Sequence, residues 1–394
     1  MYHGLDEYQT VYKMVIPKEE YFLLAIPSIL LLHSGLYLLP VKIFEKDFDS
    51  IQVHAKLNEP ILKQWIIAGV LLRLVMGVLP GDIAFIVYLL SSIRFVAAFG
   101  LIIINFKKYW IYLAIVFGVE VSVSLAQGMF HDAVMWFAFF ALLACKLFKP
   151  SLLFKTGAML FSILFLFLLQ KSKQDYREKT WFGTEEAGFS TFGSSFESSA
   201  QDADVLSIDG ISSAFMRVNQ GWIFASTVDN MNQSQDFQQW RLLGLYTEAA
   251  MLPRFLAPEK LKAGSRELFN QYSGRFIGEG TAMGLGILAD GYISFGAMGV
   301  FAFAFGFGFI FCLIFRIVEG WTSISPFFLL FIFPILHYAV RPDCETQTVL
   351  GHIVKALLLY GCMMVYYKGY FIKIIKIIEK KERLNPNLSF SLKT

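Results

Sequence analysis

Apolar runs long enough to cross a bilayer recur along the chain, separated by short polar turns and, once, by a long polar segment covering residues 171–283. A crossing needs about 20 mostly apolar residues to cover roughly 30 Å of hydrocarbon. Nine runs qualify, at about 20–39, 62–79, 83–104, 109–126, 132–148, 152–170, 295–317, 323–340 and 350–370, the second of them short for a span. The pattern predicts an all-α polytopic integral membrane protein of about nine transmembrane helices, with one large, partly helical extracytoplasmic loop between spans six and seven. The domains expected are an N-terminal bundle over 1–170, the loop over 171–283, a re-entry segment with three spans over 284–370, and a basic amphipathic tail over 371–394.

Inside the loop, residues 182–213 are rich in Gly and Ser with scattered Phe, which reads as mobile chain. Helices are expected over about 213–230, with Ser212 and Ser213 as caps, and from Gln238 to Leu252. The run at 301–309, FAFAFGFGF, alternates like a strand but sits within a long apolar stretch, so it must be helical, with Gly306 and Gly308 permitting close packing. The tail places Ile and Lys at helical spacing and is expected to lie along the membrane surface.

Composition agrees with this pattern. Hydrophobic residues make up 56% of the 394 and charged residues 16%, and the mean hydropathy is +0.55, a balance that a water-soluble surface does not allow. The net charge of +3 comes largely from the tail and points to no nucleic acid. Of the four cysteines, Cys145, Cys312 and Cys362 fall in apolar runs and only Cys344 in an aqueous turn, so no disulfide framework is expected. The N-terminus lacks the basic, apolar and small-residue sequence of a signal peptide, so the first apolar run is expected to remain as a span.

Lys and Arg concentrate on the cytoplasmic side of membrane proteins. Lys42, Lys46, Lys56 and Lys63, then Lys107 with Lys108, Lys146 with Lys149, and the tail lysines all fall on one side, whereas the turns at 79–82 and 127–132 carry neither residue. The long loop shares the side of those uncharged turns. It is therefore expected outside, with the C-terminus inside and, from an odd span count, the N-terminus outside.

Arg73, Arg94 and Glu120 lie within spans, where an unpaired charge costs several kcal/mol. They either pair to hold helices together or, in the case of the arginines, face a phosphate-bearing lipid. The loop and the last outer turn add Arg217, Arg241, Arg254, Lys260, Lys262, Arg266, Arg275 and Arg341. A guanidinium fork suits diphosphate because it donates two parallel, charge-assisted hydrogen bonds. The acids are Glu248, Glu279, Asp290, Asp343 and Glu345, of which Asp290 stands in the apolar run just where the loop re-enters the membrane, a place where burial suits a general base. His337 and His352 flank the last outer turn. No Walker loop, GxSxG, HExxH or nucleotide-binding glycine pattern occurs, so neither a cofactor nor a metal is expected.

The order RVNQGW at 217–222, LYTEAAMLPRFLAPEK at 245–260 and GLGILADGYISFGAMG at 284–299, followed by an apolar span, resembles the O-antigen polymerase (Wzy-type) family of oligosaccharide repeat-unit polymerases. The resemblance covers about a third of the chain. It implies a metal-independent glycosyltransferase that joins undecaprenyl-diphosphate-linked oligosaccharides at the periplasmic face of the bacterial inner membrane. The partners it implies are those lipid-linked oligosaccharides, membrane lipids, a chain-length regulator and a flippase, with no nucleic acid. By the same resemblance Asp290, Arg254 and Arg217 are expected to be catalytic and Lys260 and Tyr292 to bind substrate, whereas His337 as a catalytic residue and Arg341, Arg73, Arg94 and Glu248 as substrate-binding residues are expected from their chemistry and place in the chain alone. The chain departs from the family pattern in carrying Asp rather than Glu at 290 and in its N-terminal region. An O-antigen ligase passing lipid-linked glycan to another acceptor shares this topology, and a non-enzymatic transporter of the same lipid is the third reading; few charges in the inner halves of spans four to nine disfavour the transporter.

Overall fold

The computed structural model describes residues 13–43, 48–182, 185–201, 219–252, 256–278, 281–341 and 344–384. Among these the ordered elements are all helical, with no strand. The first helices are α1 (Lys18–Leu36), α2 (Phe48–Leu57), α3 (Glu59–Val75), α4 (Gly81–Ser91) and α5 (Ile93–Ile104). They are followed by α6 (Phe106–Gln127), α7 (His131–Phe148), α8 (Leu152–Arg177) and α9 (Phe189–Gln201). The chain continues with α10 (Gly221–Ser234), α11 (Gln239–Met251), α12 (Arg266–Ser273), α13 (Ile287–Thr322), α14 (Ile332–Leu336) and α15 (Thr346–Leu384). Seven helical stretches among the described residues are long and apolar enough to cross a membrane: Glu59–Val78, Ile83–Ile104, Phe106–Gln127, His131–Phe148, Leu152–Thr180, Ile287–Thr322 and Thr346–Phe371.

The chain divides into two compact units. One holds residues 105–219, the other residues 14–104 and 220–394. In the first, Asn105 caps α6 by accepting from the Lys108 amide, and Gly128 ends that helix in the left-handed conformation at φ 62°. α7 turns back along α6, stacking Phe137 on Phe117 at 4.3 Å between ring centroids. The end of α8 is tied to the α6–α7 turn by Tyr176, whose hydroxyl donates to the Leu125 carbonyl at 2.8 Å, and by Arg177, which donates to the Gly128 carbonyl at 2.9 Å. Residues 189–201 form α9 rather than mobile chain. Phe192 and Phe196 recur at helical spacing, and Phe192 packs on Phe130 and Tyr176, so apolar burial overrides the Gly and Ser content.

In the second unit α3 and the α4–α5 run form an antiparallel hairpin, with Gly69 against Ser91 and Arg94, and Leu62 against Gly100. α1 runs parallel to α13. Glu20 and Tyr292 share the amide of Asn232 at one end, and further along, the Pro40 carbonyl accepts from Arg316 at 2.9 Å. Between these points α1 and α13 touch backbone to backbone, because a Cβ placed on Gly308 would collide with the Leu32 carbonyl oxygen. Gly306, expected to serve the same purpose, has nothing near its missing Cβ.

α13 is bent near its start. Phe295 (φ −141°) and Gly296 (φ 61°) are non-helical, and residues 287–294 fold back until the backbones of Gly291 and Gly299 meet. Gly296 accommodates a positive φ with no Cβ penalty, which explains the Phe-Gly pair in the re-entry motif. The span proper therefore starts after Gly296, as the apolar run from 295 suggests.

The eighth apolar run is not one helix. It consists of a 3₁₀ turn, Pro326–Phe331, followed by α14, and this stretch of Pro326–Leu336 is shorter than a crossing helix. It nevertheless runs antiparallel beside α15: Phe328 packs on Phe371 at 4.7 Å, Phe331 on Tyr360 at 5.1 Å, and His337 stands 6.4 Å from His352. Pro334 cannot continue the amide ladder, and its carbonyl accepts instead from His352 Nε2 at 2.7 Å. The tail after Phe371 continues α15 to Leu384. No disulfide joins the cysteines, and Cys344, expected in an aqueous turn, is buried.

Gly308→Ala is expected to destabilise the protein by roughly 1–3 kcal/mol, the usual range for forced overpacking, because the obstacle is backbone and cannot move aside. Gly306→Ala should melt at or slightly above the wild-type temperature in detergent, helped by the better helix propensity of Ala. Equal melting shifts in the two variants would remove the claimed backbone contact.

Candidate functional site

The loop helices α10, α11 and α12 all sit at the α13-start end of the second unit. Asn230 of α10 donates to the carbonyls of Gln271 and Tyr272 on α12, each at 3.0 Å. The Gln238 amide, just before α11, donates to the Ile293 carbonyl at 2.9 Å, and Trp240 packs edge-on against Phe295 at 5.1 Å.

At the centre of this end is Asp290, 1% exposed. Its Oδ1 accepts from the Tyr246 hydroxyl of α11 at 2.6 Å, and its Oδ2 accepts from the Thr346 amide, the first residue of α15, at 2.8 Å. One carboxylate thus joins three helices. Burial pushes the Tyr246 phenol well above its ordinary value, with the nearby Asp290 carboxylate adding to the effect, so this hydroxyl stays a donor.

Beside it, Glu345 anchors the connection between α11 and α12. Its Oε1 accepts from the Gly264 amide at 2.7 Å, from Gln347 Nε2 at 2.8 Å and from the Thr348 hydroxyl at 3.2 Å. Gln347 Nε2 also donates to the Lys262 carbonyl at 2.9 Å. Burial drives the Glu345 carboxyl above the usual range despite these donors.

A second cluster lies where α3, α4 and the interrupted span meet α15. The Arg73 guanidinium stands 5.9 Å from the Tyr88 ring, and the Tyr88 hydroxyl is 3.4 Å from His337 Nδ1. Tyr338 stacks on His352 at 4.5 Å, and Arg341 covers the Tyr338 ring at 4.8 Å. Because His352 Nε2 faces a carbonyl oxygen it must carry a proton, which leaves Nδ1 as the basic nitrogen of the neutral ring.

Between α4, the end of α11, residues 260–263 and the first half of α15 lies a cavity of about 940 Å³. Phe85, Ile86, Leu89, Leu358 and Leu359 give it an apolar wall, and Lys260, Lys355, His352, Gln347 and Thr348 a polar one. No Asp or Glu lines it among the described residues. A cavity with apolar walls and cationic groups suits an anionic headgroup carrying a hydrocarbon chain.

Of the residues singled out in the sequence, Lys260 and His352 line this cavity. The Lys260 ammonium also donates to the Ala249 and Leu252 carbonyls, closing the end of α11. His337, Arg73 and Arg341 belong to the aromatic cluster next to His352 rather than to the lining. Arg94 is buried and donates to the Ser91 carbonyl at 2.7 Å and to the Ser91 hydroxyl at 2.9 Å, away from the cavity. Tyr292 points to the opposite side of α13, donating to Asn232 at 2.6 Å and packing on Phe224 and Phe237. Glu248 is half-buried on α11 and outside the lining. Asp290, expected as a base, does not line the cavity either, and each of its oxygens accepts a hydrogen bond. Arg217 and Arg254 lie outside the described residues, as do Glu279 and Asp343.

Lys355 escaped the sequence reading. The signal was there, since it is a lysine inside the ninth apolar run and an ionisable residue within a span is a site candidate by default. No cluster of His, Cys, Asp and Glu able to hold a metal occurs among the described residues.

The chain belongs to a family described as "Domain of unknown function (DUF8712)", whose profile matches residues 12–324. No curated protein and no solved structure matches it.

The Glu345 geometry predicts a pH dependence. Its folded-state pKa is raised, so the stability it contributes is full below the ordinary carboxyl value near 4.3 and is lost as pH rises through the raised one. Glu345→Gln keeps an acceptor oxygen and removes the titration. The melting temperature of the wild type relative to Glu345→Gln should therefore fall as pH is taken from about 4 to about 8; parallel profiles would show that burial does not raise this group.

Proposed function

We propose that this member of the DUF8712 family is a membrane glycosyltransferase that polymerises undecaprenyl-diphosphate-linked oligosaccharide repeat units on the periplasmic side of the bacterial inner membrane. The observation that carries the reading is the cavity at the junction of the loop helices and the spans, apolar along Phe85, Ile86, Leu89, Leu358 and Leu359 and cationic at Lys260 and Lys355. The motif order at 217–222, 245–260 and 284–299 supports it, because two of those segments supply the parts that build the junction. Tyr246 and Lys260 come from the second segment, and Asp290 and the Gly296 bend from the third.

Lipid diphosphate is already a good leaving group, so the reaction needs neither nucleotide nor metal. An acceptor-sugar hydroxyl oxygen attacks the anomeric carbon of the donor saccharide. The new carbon–oxygen bond forms as the bond from that carbon to the diphosphate oxygen breaks, and the diphosphate leaves with the electron pair. The hydroxyl proton passes to a base, and His352 supplies the imidazole of the lining. The cavity lysines neutralise charge as it develops on the departing diphosphate. Asp290, Tyr246 and Glu345 act through position, holding α11 and the start of α15 as walls of the site.

The test is the lipid-linked saccharide profile of cells from which the protein has been removed. The reading expects a single repeat unit to accumulate on undecaprenyl diphosphate and the ladder of longer chains to disappear. An intact ladder on the carrier, with loss only of transfer to a final acceptor, would move the assignment to a ligase.

A further inference from the structure

We infer that the cavity between α4 and α15 takes a polyprenyl phosphate chain-first from the side, and that Lys355 holds the phosphate at mid-cavity. This deepens the reading above and rests on it for the identity of the lipid. Helical side chains lean towards the helix N-terminus, so Lys355, nine positions into α15, carries its ammonium back towards Gly351. A Cβ on Gly351 would come within 3.3 Å of that Nζ. The glycine therefore leaves the room the ammonium occupies. Across the cavity Phe85 of α4 holds the same Nζ 5.3 Å from its ring centroid. The cation is thus placed by two elements, α4 and α15, and stands in the lining together with Lys260.

The apolar part of the cavity shows where the chain enters. Ile86 on α4 and Leu358 on α15 both line it and are exposed at 49% and 65%, so the gap between these helices opens sideways to the surroundings of the spans. A hydrocarbon chain reaches such an opening by diffusing within the bilayer, and its phosphate then meets Lys355 without crossing the apolar wall. Free diphosphate offers charge complementarity but nothing to fill the side opposite the lysines. Neutral polyprenol offers the reverse.

Cys362 gives a direct readout, because its thiol is exposed and lines the same cavity. With Cys145 replaced by Ser, the full chain in detergent is treated with a maleimide, and the rate at Cys362 is followed as undecaprenyl phosphate is added. Occupancy should slow the reaction about tenfold near saturation. Lys355→Gln should raise the lipid concentration for half-protection by roughly tenfold to a hundredfold, the usual scale for loss of a charge-assisted contact. Lys355→Arg should restore most of it. The unprotected labelling rate and melting temperature of Lys355→Gln must match the parent; if that variant does not fold, Leu358→Trp at the side opening must abolish protection with the lysine intact. Protection that is unchanged in Lys355→Gln, that inorganic diphosphate gives alone, or that phosphatidylglycerol gives equally, overturns the inference. Binding as described in a chain whose removal leaves the saccharide ladder intact would sink the polymerase reading alone, whereas loss of the ladder with no effect of Lys355 would sink this site alone.

Discussion

The carboxylate of Asp290 is the point on which the loop end of the molecule depends. It is buried, and the two groups it accepts from, the Tyr246 hydroxyl and the Thr346 amide, belong to helices far apart in sequence. Leaving a buried donor without its acceptor costs about 1–3 kcal/mol each. The cavity walls inherit their placement from these bonds: Ala249 and Met251 stand one turn beyond Tyr246, and Gln347 through Cys362 follow directly from Thr346. The contact also holds the start of α15, whose first residue is Thr346.

Beneath it the packing relies on backbone meeting backbone. Gly308 admits the Leu32 carbonyl, and Gly291 meets Gly299 across the bend at Phe295–Gly296. Small residues allow such approach where lipid offers no hydrophobic drive between helices. The bend turns residues 287–294 out of the line of the span, which lets Asp290 face α11 and α15 while Tyr292, two positions and about 200° further round the helix, faces α10.

Much of the fold was legible because apolar run length is a strong signal. Seven of the nine predicted crossings return as long apolar helices, and α1 covers the first run as a helix of 19 residues containing Pro27. The eighth run was misread as a continuous helix because hydropathy does not register that Pro326 and Pro334 interrupt the amide ladder. α9 was missed because its Gly and Ser outweighed three phenylalanines at helical spacing. At the site, residue chemistry was easier to read than direction. Lys260 lines the cavity, whereas Tyr292, Arg94 and Glu248 carry suitable groups that face elsewhere. Lys355 is marked in the sequence only by its place within an apolar run.

The assignment of Asp290 to positioning rather than proton transfer separates sharply from its alternative in one measurement, the transfer rate of purified Asp290→Asn. The amide keeps an oxygen to accept from Thr346 and offers an N–H to the Tyr246 oxygen, so both helices stay tied and the folded protein should transfer at close to the wild-type rate. A variant that melts with the wild type, still binds lipid-linked saccharide and yet loses about 10²–10⁴-fold in rate would make Asp290 the base and contradict this account.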